Sequence, residues 1–194
     1  REYHGQVQGM FGNDELLHGA NPTQGTELCT IVELMFSLET MIQITGDLAY
    51  ADHLEKITYN ALPTQITEDF KGRQYYQQPN QVKITREQRN FITFHGGTDL
   101  CFGVLTGYPC CTTNMHQGWP KFVQNLWYAT PDNGLAALVY APNKVSAMVA
   151  DGVQIQFDEQ TNYPFDENIR FIFSGKNGVK FPLYLRIPAW CKQA

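Results

Sequence analysis

The chain has 194 residues, 43% of them hydrophobic and 17% charged, and a net charge of -5 with its 14 Lys and Arg scattered along it. Such a balance excludes disorder and leaves no basic stripe to neutralise phosphates, which removes nucleic acid and anionic membranes from the expected partners. The longest apolar runs are short, the stretch 31–36 being interrupted by Glu33, against the roughly 20 residues that a bilayer span needs.

Residues 1–24 are rich in Gly, His, Asn and Pro and hold no sustained period, so they read as an ordered loop region. Ile31, Leu34, Met35, Leu38, Met41 and Ile42 then recur at helical spacing, predicting a helix over 26–45 that stops at Gly46. Leu48, Ala51, Leu54, Ile57 and Ala61 continue the period as far as Pro63, a second helix antiparallel to the first. Between 65 and 108 the pattern weakens to short β-like pieces, with 82–85 and 91–94 the best candidates. A third helix is expected over 112–128, with Pro120 in its first turn or kinking it. Beyond 131-PDNG-134 the chain alternates like strands, at 135–140, 145–149, 153–157, 169–173 and 181–187, an antiparallel sheet domain. The joint between the two halves is placed near residues 130–134.

Five cysteines cannot all pair with one another, and two of them, Cys110 and Cys111, are adjacent. With Glu27 and Cys29 they offer three soft thiolates and a carboxylate, a set that suits tetrahedral zinc. Residues two apart on a helix point to opposite sides, so Glu27 and Cys29 can share an ion only where the backbone is not yet regular, at the helix entrance. Buried free thiols acting as small hydrophobes, or a strained vicinal disulfide, are the alternatives that spacing alone leaves open. Cys101 and Cys191 read as core residues, and His116 as a supporting or structural side chain.

Four strings together carry a resemblance: Gly9-Met10-Phe11-Gly12-Asn13-Asp14-Glu15, Pro22-Thr23-Gln24-Gly25-Thr26-Glu27-Leu28-Cys29, Tyr59-Asn60-Ala61-Leu62-Pro63, and the stretch from Cys110-Cys111-Thr112-Thr113 to Trp119-Pro120-Lys121-Phe122. They resemble glycoside hydrolase families 127 and 146, the β-L-arabinofuranosidase type, and Arg186-Ile187-Pro188-Ala189-Trp190 resembles the sheet domain of the same families. The resemblance implies an α+β fragment: the late helices of an (α/α)6 barrel over 1–130, then an incomplete antiparallel β-sandwich domain over 131–194.

It further implies that Glu27, Cys29, Cys110 and Cys111 bind zinc, that Cys110 is the nucleophile, and that Glu15, with Asp14 as the fallback, is the acid/base. Glu55 resembles a sugar-contacting glutamate, although on pattern alone it is an exposed helix residue, and Tyr76 is expected to contribute a hydroxyl contact. The implied reaction is release of terminal β-L-arabinofuranose from an arabinose-containing glycan with retention. The sequence does not fix the compartment, with periplasmic or secreted somewhat favoured over cytoplasmic. A non-catalytic carbohydrate-binding or scaffolding piece with a structural zinc is the competing expectation.

Overall fold

In the computed structural model residues 2–193 are described; Arg1 and Ala194, outer ends of the expected loop and sheet regions, lie outside them. Helix α1 (Leu28–Thr45) buries Leu28, Ile31, Val32, Met35, Leu38 and Ile42 along one stripe. Gly46 ends it with φ +67, a left-handed cap whose N–H reaches the carbonyl of Ile42 at 2.8 Å. Asp47 restarts the chain by accepting a hydrogen bond from the Ala49 N–H at 2.9 Å, capping α2 (Leu48–Asn60). α3 (Cys110–Gln124) also packs on α1, which therefore lies between the other two helices. By length and apolarity alone α1 could cross a membrane, with a mean hydropathy of 1.4. Its buried stripe is the centre of the helical core.

α3 starts two residues before the expected 112 and ends four before 128, with Pro120 inside it rather than in its first turn. Proline has no N–H, so the carbonyl of His116 loses its helical donor there, on an exposed turn. Past Gln124 the chain turns, and Trp127–Ala129, whose first two residues were expected to be helical, forms strand β3 after β1 (Thr26–Glu27) and β2 (Tyr76–Gln77). The pieces at 82–85 and 91–94 are not strands but irregular chain, and Val82 is 96% exposed, so they lack the buried face that would fix a register.

The sheet part comprises β4 (Leu135–Ala137), β5 (Asn143–Val149), β6 (Val153–Thr161), β7 (Ile169–Gly175) and β8 (Leu183–Leu185). β5, β6 and β7 form an antiparallel meander in which Ile155, Phe157 and Glu159 of β6 point inward at period two. The other sheet runs β3-β4-β8, and β8 joins β4 in parallel, which corrects the wholly antiparallel expectation. Trp127 stacks on Phe157 at 5.5 Å with its plane tilted by 9°, tying the two sheets together.

Two carboxyls are buried in this frame. Asn125 donates to Glu39 at 3.1 Å, and Asn143 donates to Glu159 at 2.7 Å. Burial pushes both carboxyls up from an ordinary 4.5 to about 7. The folded chain thus keeps protons that the unfolded chain releases between 4.5 and about 7, so stability falls as pH rises through that window and levels off above it. The double variant Glu39→Gln/Glu159→Gln is expected to melt at a higher temperature than its parent above about pH 7 and to lose that advantage below about pH 4.5. Parallel melting curves for the two proteins across the range would refute this.

Candidate functional site

β1 and β2 pair antiparallel with Glu27 opposite Tyr76, and the N–H of Leu28 donates to the Tyr75 carbonyl at 3.1 Å. Glu27 is therefore held extended, at φ -75 and ψ 141, one residue before α1 begins, and Cys29 is the second residue of the helix. This is the irregular entrance that lets side chains two apart converge. α3 begins at Cys110 itself, so Cys110 and Cys111 occupy its first turn. Two helix N-termini with their partial positive charge meet at the cluster, an arrangement that favours anionic sulfur.

The four ligand atoms all lie within 4.8 Å of one another. Cys29 Sγ is 3.3 Å from Cys111 Sγ, Cys110 Sγ is 3.9 Å from Cys111 Sγ, and Glu27 Oε1 is 3.4 Å and 3.6 Å from Cys110 and Cys111. Cys111 is fully buried, whereas Cys29 and Cys110 are half-buried. All five cysteines are free thiols, which removes the vicinal disulfide; Cys101 and Cys191 are half-buried rather than core residues. Burial holds the Cys110 thiol up at about 12 and raises that of Cys111 further, while hydrogen bonding from Cys111 lowers Cys29. A cation held by the four would reverse the burial effect, because a coordinated thiol is deprotonated. The donor set can hold one metal ion. Asn114 supports Cys29 by a hydrogen bond, whereas His116 is exposed and faces only the carbonyl of Thr112 at 3.5 Å.

Glu15 and Asp14 are separated by the backbone. Glu15 has φ +80, a conformation that L residues rarely adopt, and it is exposed. Its Oε1 accepts a hydrogen bond from the Tyr75 hydroxyl and lies 3.4 Å from that of Tyr76. Asp14 is fully buried instead, accepting from the Ile92 N–H at 3.1 Å and pairing with His18; burial raises its carboxyl. Tyr75 connects the two halves of the site, since its carbonyl lies 3.9 Å from Cys111 Sγ while its hydroxyl holds Glu15. Tyr76, fully buried, also meets Thr93 at 2.7 Å. Glu55 is buried elsewhere, with Oε2 held by Arg186 and Oε1 accepting from the Trp190 indole at 2.8 Å.

Two further groups shape the site and were not singled out from the sequence. His95 Nδ1 lies 2.5 Å from Asp99 Oδ1, and its ring meets Tyr75 edge-on at 4.9 Å. The His-x-x-x-Asp spacing was the available signal, and it is common enough to pass unnoticed. Arg73, fully buried, donates to the carbonyls of Val104 at 3.1 Å, Tyr108 at 2.8 Å and Thr106, and to Thr112 Oγ1 at 3.0 Å. It thereby shapes the loop that delivers Cys110. Gly107 closes that loop at φ +62, where a Cβ would stand 2.2 Å from the Tyr75 Cβ. Arg73→Ala removes a fully buried guanidinium that holds three backbone carbonyls and the Thr112 hydroxyl, and is expected to cost about 2–3 kcal/mol, read as a lower urea midpoint. An unchanged midpoint would show that the loop does not depend on it.

A family model described as "Beta-L-arabinofuranosidase, GH127 catalytic domain" matches residues 4–124, and one described as "Beta-L-arabinofuranosidase, GH127 middle domain" matches residues 134–194. The chain belongs to the GH127 family. Among solved structures it is similar to Ara127N-Se, a GH127 beta-L-arabinofuranosidase from Geobacillus stearothermophilus T6, with 22% identity and a TM-score of 0.81 over 99% of this chain and 30% of that one. It is also similar to a structure described as a glycoside hydrolase, with 21% identity and a TM-score of 0.70 over 89% of this chain and 27% of that one. The chain thus spans less than a third of either solved neighbour, and at these identities the likeness speaks for the fold. No curated protein matched.

Proposed function

We propose that the GH127 protein to which this chain contributes is a retaining glycosidase that releases terminal β-L-arabinofuranose, with zinc on Glu27, Cys29, Cys110 and Cys111. The observation that carries the reading is the convergence of three sulfurs and a carboxylate beside Glu15, with Tyr75 touching both. Tetrahedral zinc, with Zn–S about 2.3 Å and Zn–O about 2.0 Å, spaces its ligand atoms about 3.5–3.8 Å apart. Four of the six separations, at 3.3 to 3.9 Å, are close to that spacing, and all six are within 4.8 Å. Bound zinc would supply thiolate character at neutral pH.

Cys110 is the member of the adjacent pair that a substrate can reach, since Cys111 is 0% exposed. Its sulfur attacks the anomeric carbon as the bond to the aglycone oxygen breaks, and Glu15 gives that oxygen its proton. Water then attacks the thioglycosyl carbon, Glu15 takes the proton of the water, and the sugar leaves with retained configuration and the thiolate restored. The Tyr75 hydroxyl orients Glu15. Of the proposed sugar contacts Tyr76 lies nearer the acid, its hydroxyl 3.4 Å from Glu15 Oε1, but it is as fully buried as Cys111, so a sugar would meet it only through Glu15. Both oxygens of Glu55 already hold donors, so a sugar hydroxyl would have to share one of them.

Four protein ligands leave no open position on a tetrahedral ion, which favours a second reading, a structural zinc in a non-catalytic glycan-binding protein. Labelling separates the two. An arabinofuranosyl electrophile given to the full-length protein is expected to modify Cys110, and modification elsewhere or nowhere supports the structural reading. Glu15→Gln is expected to lower kcat/KM on glycans by about 10²–10⁴-fold and far less on an aryl arabinofuranoside whose leaving group needs no proton. Equal losses on both substrates would remove Glu15 from the acid role.

A further inference from the structure

His95 and Asp99 lie in one short turn that ties the two arms of the site together. The Asp99 carbonyl accepts from the N–H groups of Tyr75 at 3.1 Å and Tyr76 at 2.9 Å, and Thr98 Oγ1 accepts from the N–H of Gly107 at 3.0 Å. The turn therefore fixes both the segment whose Tyr75 hydroxyl holds Glu15 and the loop that delivers Cys110. Gly97, at φ +72 and too close to the Glu87 backbone for a Cβ, reverses the chain so that the Asp99 carboxylate returns to the His95 ring.

The His95 side chain takes no part in those backbone bonds. Its Nδ1 lies 2.5 Å from Oδ1 of Asp99, a residue 2% exposed. A carboxylate can only accept, so Nδ1 carries the proton and the lone pair of the neutral ring is left on Nε2. That nitrogen has no hydrogen-bond partner among the described residues, and it is open to solvent, on a side chain 22% exposed. The flanking rings are Tyr75, edge-on at 4.9 Å, and Tyr108 at 6.2 Å, which is 57% exposed and two residues before Cys110. No nitrogen of His95 joins the four ligand atoms. An oriented acceptor beside exposed aromatic surface suits a hydroxyl of a neutral sugar, which donates to the neutral ring and accepts from the protonated one.

We infer that His95 sets specificity on the leaving side: its Nε2 hydrogen-bonds a hydroxyl of the sugar that departs with the glycosidic oxygen, and Asp99 holds the ring in place. The leaving side follows from Tyr75, because the ring against which His95 packs holds the glutamate that protonates the leaving oxygen. The inference rests on the glycosidase reading above. The full-length protein is to be assayed on three β-L-arabinofuranosides: a disaccharide that releases a second arabinose, the methyl glycoside, whose leaving oxygen needs a proton but brings no further hydroxyl, and an aryl glycoside, which needs neither. His95→Phe keeps a ring against Tyr75 and is expected to lower kcat/KM on the disaccharide about tenfold while leaving the other two unchanged. A loss shared by the disaccharide and the methyl glycoside would make His95 a support of Glu15. A loss on all three in a variant that melts like its parent, or on none, would give it no part in recognition, and each of these results overturns the inference. The parent offers a measurement that needs no variant: among disaccharides lacking one hydroxyl of the leaving arabinose, one is expected to react about tenfold more slowly than the intact compound. His95→Phe is expected to be insensitive to that same deletion. Equal rates for all of these compounds in the parent overturn the inference even if His95→Phe does not fold. A parent inactive on all three glycosides removes the glycosidase reading itself, and the role of His95 falls with it.

Discussion

Replacing Cys110 by Ala in the full-length protein is expected to lower kcat by at least about 10⁴-fold, because in the proposed mechanism the group lost forms the covalent bond and no neighbouring nucleophile takes its place. Cys111 has its sulfur fully buried behind the cluster and cannot substitute. Glu27 Oε1, at 3.4 Å from Cys110 Sγ, is committed to the same set of ligands. Loss of Cys110 also leaves three ligands, so zinc content is to be followed together with rate. Cys110→Ser separates the two effects: it keeps an oxygen near the position of the sulfur, and a variant that retains metal but not turnover assigns the loss to the nucleophile. Parent-like turnover in Cys110→Ala would end the thiolate mechanism.

The second large effect is on stability. Arg186, 3% exposed, donates to Asp52 and Glu55 of α2 and to the Leu138 carbonyl, and Tyr140 donates its hydroxyl to the Arg186 carbonyl. One side chain thereby joins the second helix to the chain after β8. Arg186→Ala leaves Glu55 buried without its cation, with the Trp190 indole at 2.8 Å and the Tyr163 hydroxyl as neutral donors, and is expected to cost about 3–5 kcal/mol, seen as a fall in the urea midpoint. Because most of that cost is the stranded carboxylate, Arg186→Met/Glu55→Leu is expected to recover much of it, and the pair should be strongly non-additive. An additive double variant would show that the ion pair does not hold the two parts together.

The helices were legible because their stability comes from one apolar stripe, and Ile31, Leu38, Leu54 and Ile57 announce it. The stretch between the 3-10 turn Pro63–Gln65 and α3 was not, because polar groups organise it: Arg73 gathers backbone carbonyls and Gln65 donates to the Thr26 carbonyl at 2.9 Å. Such bonds leave no period. The same holds for β8, whose parallel pairing with β4 depends on the path of the whole β5-β6-β7 meander.

At the site, residue types and the resemblance brought out Glu27 and the cysteines, and the fold brings them together. The difference between Asp14 and Glu15 lay beyond sequence: Asp14 is fully buried, and Glu15 is exposed at φ +80. His95 and Asp99 escaped notice because tertiary contacts place them, the His95 ring packing on Tyr75 and the Asp99 carbonyl accepting from the N–H groups of Tyr75 and Tyr76.

X-ray absorption at the zinc edge of the full-length protein tests the central claim most directly. The account predicts one zinc per chain with three sulfur neighbours at about 2.3 Å and one oxygen at about 2.0–2.2 Å, falling to two sulfurs in Cys29→Ala. A metal shell without sulfur, or one unchanged by Cys29→Ala, would contradict it.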